Sequence, residues 1–261
     1  MSFFASTADY YRRFRSGIPE DVSRVLSESA PNGSPRRLLD VGTGTGFVVQ
    51  ALLPYFDEAI GVDVDEELLA VARADMSDEI ANRRARFIHG PAESLTLEPG
   101  WLAHLVTVCR AFHWFDRPAF LTNIIGYMVD GATLSVFGDR SIWAGGQDWK
   151  IAARDVVQEV LGEARRAGPS TYGQKSGSFI DDLDNAGFTG ITARTVPARR
   201  THTVDSMIGL LHSTSFASPA VLGDRIDHFD ARIREELSPL TDEEGTLVDD
   251  NEFYIYTGTR P

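Results

Sequence analysis

The sequence predicts a doubly wound α/β fold, in which helices cover both faces of a mostly parallel sheet. Short apolar segments alternate with helical segments between residues 37 and 138, and this spacing is typical of βαβ units. The strand segments are apolar throughout, which indicates burial on both faces. A glycine-rich loop joins the first strand to the next helix. Ligands bind at this edge of such sheets.

Seven strands are expected, and the last alternates in polarity, as an antiparallel edge strand does. The predicted strands cover residues 37–41, 59–63, 86–89, 105–109, 133–138, 191–198 and 252–259. The predicted helices cover residues 19–29, 46–53, 66–75, 118–128, 148–167, 178–186, 205–211 and 220–237. Because helices are inserted around the late strands, we expect a helical cap over one end of the sheet.

Charge and cysteine content limit the partners and the setting. The chain has 261 residues, a formal net charge of −13 and one cysteine, Cys109. The acidity argues against a nucleic-acid partner, which requires a basic face, and disfavours binding to anionic lipid. One cysteine allows no intramolecular disulfide, so a reducing, cytoplasmic setting is the simplest expectation. Neither a signal peptide nor a membrane-spanning stretch is predicted, and a monomer or homodimer acting on a small molecule is expected.

The glycine loop carries the main chemical signal. Gly42, Gly44 and Gly46 follow the first strand as G-x-G-x-G; glycine lets the backbone approach a ligand closely, and the next helix offers free N–H groups. A dinucleotide loop requires a third glycine where Phe47 stands, and no Walker-type Gly-Lys-Ser/Thr follows. A plain tight turn is the alternative explanation.

Two acidic residues flank this loop. Asp63 ends the second strand, 17 residues after Gly46, where a carboxylate can accept hydrogen bonds from both hydroxyls of a ribose. Its alternative role is to cap the next helix, a role that Asp65 fills better. Asp40 lies two residues before the first glycine. There it can hold the amino group of an amino-acid moiety or brace the loop by a hydrogen bond.

Four segments in order make the signal specific: LLDVGTGTGFVVQALL, GVDVDEELLAVAR, FIHGPAESL and VTVCRAFHWFD. They resemble the class I S-adenosylmethionine-dependent methyltransferases, in the small-molecule branch, over about residues 37–138. ADYYRRFRSGIP and DDLDNAGF also resemble parts of that branch. The resemblance implies a Rossmann-like sheet, S-adenosyl-L-methionine as the methyl donor and S-adenosyl-L-homocysteine as the product. No metal is expected, because the histidines are scattered and lack ligand spacing.

The resemblance also implies which residues bind the cofactor. Asp40 and the glycine loop are implied at the methionine end, Asp63 at the ribose, and Val64, which departs from the usual Pro or Ser, at the adenine. The other residues implied at the cofactor are Tyr11, Arg15, Gly42, Thr43, Gly44, Gly46, Ala92, Glu93, Arg110 and Ala111. In this interpretation residues 1–36 close over the cofactor, 37–138 bind it, and 139–261 supply cap helices and the last strands.

His113 is the candidate catalytic residue. Methyl transfer from a sulfonium requires alignment of the reacting atoms, and a general base helps when the nucleophile starts protonated. His113 follows the fourth strand, where the methyl group is expected to point; a structural histidine bonded to a loop carbonyl is the alternative. The candidate substrate-contacting residues are Trp114, Trp143, Tyr172 and His212. The polar run after His212 fits helix capping equally well.

The expected function is methylation of an oxygen or nitrogen on a small-molecule metabolite, with secondary metabolites as one class of acceptor. A non-catalytic module that binds S-adenosylmethionine or a nucleoside is an alternative of a different class. An NAD-dependent oxidoreductase is a third hypothesis, which Phe47 disfavours.

Overall fold

A computed structural model describes residues 8–15, 17–163, 166–167, 170–171 and 178–261. The chain divides into two compact units. The sheet unit contains residues 17–139, 175–196 and 253–261, and the helical unit contains residues 1–16, 140–174 and 197–252. The division into three segments expected from the sequence stays a prediction.

Seven strands form one sheet in the order β3-β2-β1-β4-β5-β7-β6. The strands are β1 (Arg37–Val41), β2 (Glu58–Asp63), β3 (Ala85–His89), β4 (Ala103–Cys109), β5 (Met128–Asp139), β6 (Thr189–Thr203) and β7 (Thr246–Thr259). The first five strands pair in parallel, and β7 pairs antiparallel with β5. The predicted Rossmann-like, mostly parallel sheet is therefore confirmed.

Helices precede β1 and lie between most of the later strands. They are α1 (Ala8–Phe14), α2 (Glu20–Ser29), α3 (Phe47–Leu52), α4 (Glu66–Asp75), α5 (Ser77–Ala81), α6 (Arg117–Ile124), α7 (Asp148–Leu161), α8 (Phe179–Asn185), α9 (Val204–His212), α10 (Pro219–Leu222) and α11 (Ile226–Leu237). Within the described part of the chain, no helix is both long and apolar enough to cross a membrane. The cap role of the later helices stays a prediction.

The alternating pattern of the last strand predicts an edge position, but this strand lies inside the sheet. β7 lies between β5 and β6, and β6 forms the edge. Alternation reports that the two faces of a strand differ in polarity; it carries no information about the neighbours on either side. The exposed side chains along β6 are the better indication of an edge strand.

Several element ends differ from the predicted ones for local reasons. The helix after residue 148 ends at Leu161 because Gly162 has a left-handed φ of 90°. Gly223, with a φ of 55°, separates α10 from α11 in a stretch predicted as one helix. α6 ends at Ile124, and β5 begins earlier than expected, at Met128.

Each unit has its own hydrophobic core. In the sheet unit, the apolar side chains of β1, β2, β4 and β5 pack against Phe112, Phe115 and Phe120. In the helical unit, Trp149 and Phe229 pack among the apolar residues of α7, α9 and α11. The aromatic residues after β4 therefore form part of the sheet core, which holds the loop that carries them.

The helical unit also buries a charged pair. Lys150 Nζ lies 2.6 Å from Asp249 Oδ1, and the two side chains are 3% and 7% exposed. Asn251 Nδ2 donates to the other carboxylate oxygen at 3.0 Å. Loss of one partner from such a pair leaves an uncompensated buried charge.

We expect Lys150→Met to lower the free energy of unfolding by about 3–5 kcal/mol, because Asp249 loses its counter-ion. Urea unfolding followed by circular dichroism measures this change. The double variant Lys150→Met/Asp249→Asn should recover most of the loss, because it leaves no charge and keeps an acceptor for Asn251. Equal stability of the single and double variants would contradict this account.

Candidate functional site

The glycine loop is fastened to the end of β2. The amides of Gly42 and Thr43 donate to the carbonyl of Val62 at 2.8 and 3.0 Å. Gly42 has a φ of 74°, and a Cβ at this position would lie 2.4 Å from the Cβ of Ala111. Gly46, with a φ of 81°, is the N-cap residue of α3. Glycine at these two positions lets the loop turn tightly between β1 and α3.

Asp63 connects the loop to the next βα junction. Its Oδ2 accepts from the Gly44 amide at 2.8 Å, and its Oδ1 accepts from the Asp65 amide at 2.9 Å. Burial raises the pKa of Asp63, and these backbone hydrogen bonds oppose the increase. Because a carboxylate has about four acceptor positions, Asp63 retains capacity for hydroxyl donors. Asp65 caps α4 by accepting from two amides, and the ribose role of Asp63 stays a prediction.

Asp40 is fully buried beneath the loop. Thr107, its register partner on β4, donates to Oδ1 at 2.7 Å. Oδ2 is buried and receives no hydrogen bond of standard geometry from the described residues. Burial raises the pKa of Asp40 to about 6, the nearby charge of Asp63 acts in the same direction, and the hydroxyls of Thr43 and Thr107 oppose it. One carboxylate oxygen thus braces β4, and the other suits a cationic partner.

The residues after β2 and β3 supply two apolar side chains and one carboxylate that already accepts a hydrogen bond. Val64 is 63% exposed, which suits packing against a flat ring. Ala92 is buried in the short helical turn after β3. Glu93 Oε1 accepts from the amide of Asp116 at 2.9 Å, so this carboxylate holds the start of α6.

Arg110 and Ala111 directly follow β4, next to β5. Arg110 has a left-handed φ of 57°, and its amide donates to the Phe137 carbonyl at 3.0 Å. Its guanidinium pairs with Asp139 and lies 5.5 Å from the centre of the Phe253 ring. The side chain is therefore directed along β5 and β7, while Ala111 faces Gly42.

The His113 turn, Phe112–Trp114, is a single helical turn that follows. His113 is half-buried and its ring centre lies 4.9 Å from that of Trp114. Trp114 is 47% exposed, whereas Phe112 is only 1% exposed. The buried Phe112 anchors the turn, whereas the candidate base His113 and the candidate substrate contact Trp114 are more exposed.

The remaining predicted site residues belong to the helical unit or fall outside the described residues. Arg15 Nε donates to Ser213 Oγ at 3.0 Å, and the Arg15 guanidinium lies 5.0 Å from the centre of the Tyr11 ring. Trp143 packs edge-on against Phe216. Tyr172 lies outside the described residues. The roles of these residues at cofactor or substrate stay predictions.

His212 has a clear packing role in the helical unit. Its Nε2 lies 2.8 Å from Asp230 Oδ1, and its Nδ1 lies 3.2 Å from the Ala217 carbonyl oxygen. The side chain is 2% exposed, and the edge of Tyr10 covers it. Both ring nitrogens are engaged within the unit, so a contact from His212 to substrate requires one of these bonds to break.

The structure therefore gathers the sheet-unit candidates at the carboxyl ends of four parallel strands. They are Asp40 within β1, Gly42, Thr43, Gly44 and Gly46 after β1, Asp63 and Val64 at the end of β2, Ala92 and Glu93 after β3, and Arg110, Ala111, His113 and Trp114 after β4. Within the described ranges, no three His, Cys, Asp or Glu side chains are grouped as metal ligands.

Sequence reasoning missed Thr107, Asp139 and Arg117, which support this site. Thr107 is a lone polar residue inside an apolar strand, a signal that points to a buried polar partner. Asp139 carries no such signal, because its partner Arg110 lies 29 residues away. Arg117 has its carboxylate partner 65 residues away.

A mostly parallel sheet with a glycine loop after β1 and an acidic end on β2 is the arrangement with which Rossmann-like proteins bind nucleotide-type cofactors. Residues 38–131 match the family profile described as methyltransferase domain. A Saccharomyces cerevisiae protein named as a probable S-adenosylmethionine-dependent methyltransferase, CRG1, is 32% identical over 48% of this chain and 43% of its own length. A provisionally named methyltransferase of Dictyostelium discoideum is 24% identical over 97% of this chain and 92% of its own.

A solved structure from Anaeromyxobacter dehalogenans, provisionally named a type II methyltransferase, shares the fold. It aligns with a TM-score of 0.60 and 20% identity over 94% of this chain and 97% of that chain. Over residues 38–131 the chain is therefore similar to methyltransferase domains, including that of a protein named as S-adenosylmethionine-dependent. It spans less than half the length of the yeast relative.

The buried carboxylate predicts a pH-dependent stability. A carboxyl pKa raised by folding means that stability is lost as pH rises through about 4 to 6. Asp40→Asn removes this loss, so the variant should exceed the parent in free energy of unfolding by up to about 3 kcal/mol at pH 7.5. At pH 4 the two proteins should be nearly equal.

Urea unfolding at both pH values tests this. Asp130→Asn, at a fully exposed side chain that pairs with Arg260, serves as the control for loss of one surface carboxylate. The same gain at pH 4 and pH 7.5 for Asp40→Asn would contradict a charge-based cause.

Proposed function

We propose that this chain transfers the methyl group of S-adenosyl-L-methionine to an oxygen or nitrogen atom of a small-molecule metabolite, and that it acts in the cytoplasm. The observation that carries the proposal is that two carboxylates lie against one glycine loop. Asp63 braces the loop at Gly44, and Asp40 lies buried beneath it.

The residues at the loop fit the methyl donor on three counts. Asp40 Oδ2 is a buried acceptor suited to the ammonium of the methionine moiety. Asp63 retains acceptor capacity for the ribose hydroxyls. Val64 offers an exposed apolar side chain to the adenine. The N-terminus of α3 adds a positive dipole end beside the loop.

The bound donor supplies a methyl group already activated by a positive sulfur. The chain's own residues would then align the acceptor and exclude water. In this proposal His113 takes the proton that the acceptor loses, and its half-buried position on the turn after β4 supports that role. Trp114 beside it would form an aromatic wall against the acceptor.

The acceptor is proposed to be neutral or amine-bearing, in line with the net charge of −13. Secondary metabolites are one class that fits. The chain is proposed to work as a monomer or homodimer, without metal and without nucleic-acid or membrane partners. Trp143, Tyr172 and His212 remain candidate contacts to the acceptor.

Asp63→Ala is expected to weaken S-adenosylhomocysteine binding by about 10–100-fold, because hydrogen bonds to a charged group are lost. Isothermal titration calorimetry measures the Kd, and circular dichroism verifies folding. Asp63→Asn should lose less, because the amide oxygen still accepts from one loop amide. Asp78→Ala, at an exposed residue of α5, is the control. Unchanged affinity in a folded Asp63→Ala would refute the ribose assignment.

His113→Ala is expected to lower kcat by about 10²–10⁴-fold while leaving the cofactor Kd within about twofold, because a positioned base acts on the transition state. Radiolabelled donor with a panel of phenols, carboxylic acids and amines identifies an acceptor for this measurement. His228→Ala, exposed on α11, is the control.

Equal losses in turnover and cofactor affinity would assign His113 a structural role instead. Tight cofactor binding without product across the whole panel would favour the non-catalytic binding module. Stabilisation by NADH but not by S-adenosylhomocysteine in thermal melts would favour the oxidoreductase.

A further inference from the structure

Arg117, the first residue of α6, is a charged side chain buried beside the His113 turn. Its guanidinium lies between two aromatic rings, 5.3 Å from the centre of Phe112 and 4.9 Å from the centre of Phe179. Its Nη1 donates to Asp182 Oδ2 at 2.7 Å. The side chain is 8% exposed.

Burial of a guanidinium is costly unless its charge is compensated. Here the compensation comes from one carboxylate and the faces of two rings, which attract a cation. Asp182 and Phe179 both lie on α8, whereas Phe112 belongs to the His113 turn. Arg117 thus ties the turn to a helix that is distant in the sequence.

The turn depends on such side-chain anchoring. It is three residues long, and its local backbone bonds are those from Trp114 to the Ala111 carbonyl at 2.9 Å and from Phe115 to the Phe112 carbonyl at 3.3 Å. A short turn of this kind is held in one orientation mainly by what its side chains contact. Phe112 supplies that contact, and its ring meets Phe179 edge-on at 5.2 Å.

An exposed pair in the same unit shows what an ordinary surface ion pair looks like. Arg86 pairs with Glu98, and the two side chains are 42% and 69% exposed. Such a pair contributes little to stability and orients no neighbour. Arg117 differs because it is buried, it contacts one carboxylate and two rings, and one of those rings is part of the turn.

We propose that Arg117, through Phe112 and Asp182, is a positioning residue that sets the orientation of His113 and Trp114 for methyl transfer. This inference rests on the proposed function for its kinetic consequence. The orientation itself is a physical property that is measured without turnover.

The physical measurement uses fluorine NMR of protein labelled with 5-fluorotryptophan, because the chain has only four tryptophans. Trp114→Phe assigns the Trp114 resonance. Arg117→Met and Asp182→Ala should shift and broaden that resonance and leave the other three unchanged. Asp182→Asn keeps an oxygen acceptor for Arg117 and should resemble the parent, as should the control Arg86→Ala.

The kinetic measurement is a double-mutant cycle with His113→Ala, using the acceptor found in the panel. Arg117→Met should lower kcat about tenfold or more in the parent and less than twofold in His113→Ala. The cofactor Kd should stay within twofold in both backgrounds.

An unchanged Trp114 resonance in folded Arg117→Met and Asp182→Ala would overturn the proposal. So would an equal kcat loss with and without His113, because Arg117 would then not act through that residue. If Arg117→Met fails to fold, Asp182→Ala decides both measurements. Absence of turnover in the parent protein would overturn the proposed function alone, and the fluorine spectra would still decide the positioning.

Discussion

The hydrogen bond from the Gly44 amide to the Asp63 carboxylate, at 2.8 Å, is the contact on which the site depends. It holds the loop after β1 against the end of β2, while Gly42 and Thr43 bond to Val62 on the same strand. These bonds hold the loop against the end of the neighbouring parallel strand, where the Asp63 carboxylate lies. The left-handed glycines follow from this constraint, because a Cβ at Gly42 would collide with Ala111.

Burial gives the two acidic residues different chemical roles. Asp63 is braced by backbone amides and keeps acceptor capacity towards its surroundings. Asp40 has lost its water entirely, and its pKa rises to about 6 because only Thr43 and Thr107 oppose the cost of burial. A buried carboxylate of this kind lowers stability at neutral pH. A cationic group bound there would restore the compensation that folding removed and would raise the free energy of unfolding.

Aromatic side chains hold the segment after β4, which forms another part of the site. The segment after β4 carries the candidate base His113 and the candidate substrate contact Trp114. Its phenylalanines pack into the sheet core; they are Phe112, Phe115 and Phe120. Arg117 then connects that core to α8 through a cation enclosed by rings and Asp182. The turn that carries the candidate base is thus held by packing within the sheet unit.

The sheet and its strand segments could be predicted from the sequence, because they depend on local periodicity. The positions of the loop, Asp40 and Asp63 could be predicted as well, because they depend on spacings of a few residues. Tertiary structure decided what depends on distant partners. β7 lies inside the sheet because pairing with β5 and β6 selects its place, and alternation cannot encode neighbours. Glu93, Arg110 and His212 gain partners that lie 5 to 29 residues away. Such pairings arise only when folding brings remote segments together and removes water from between them.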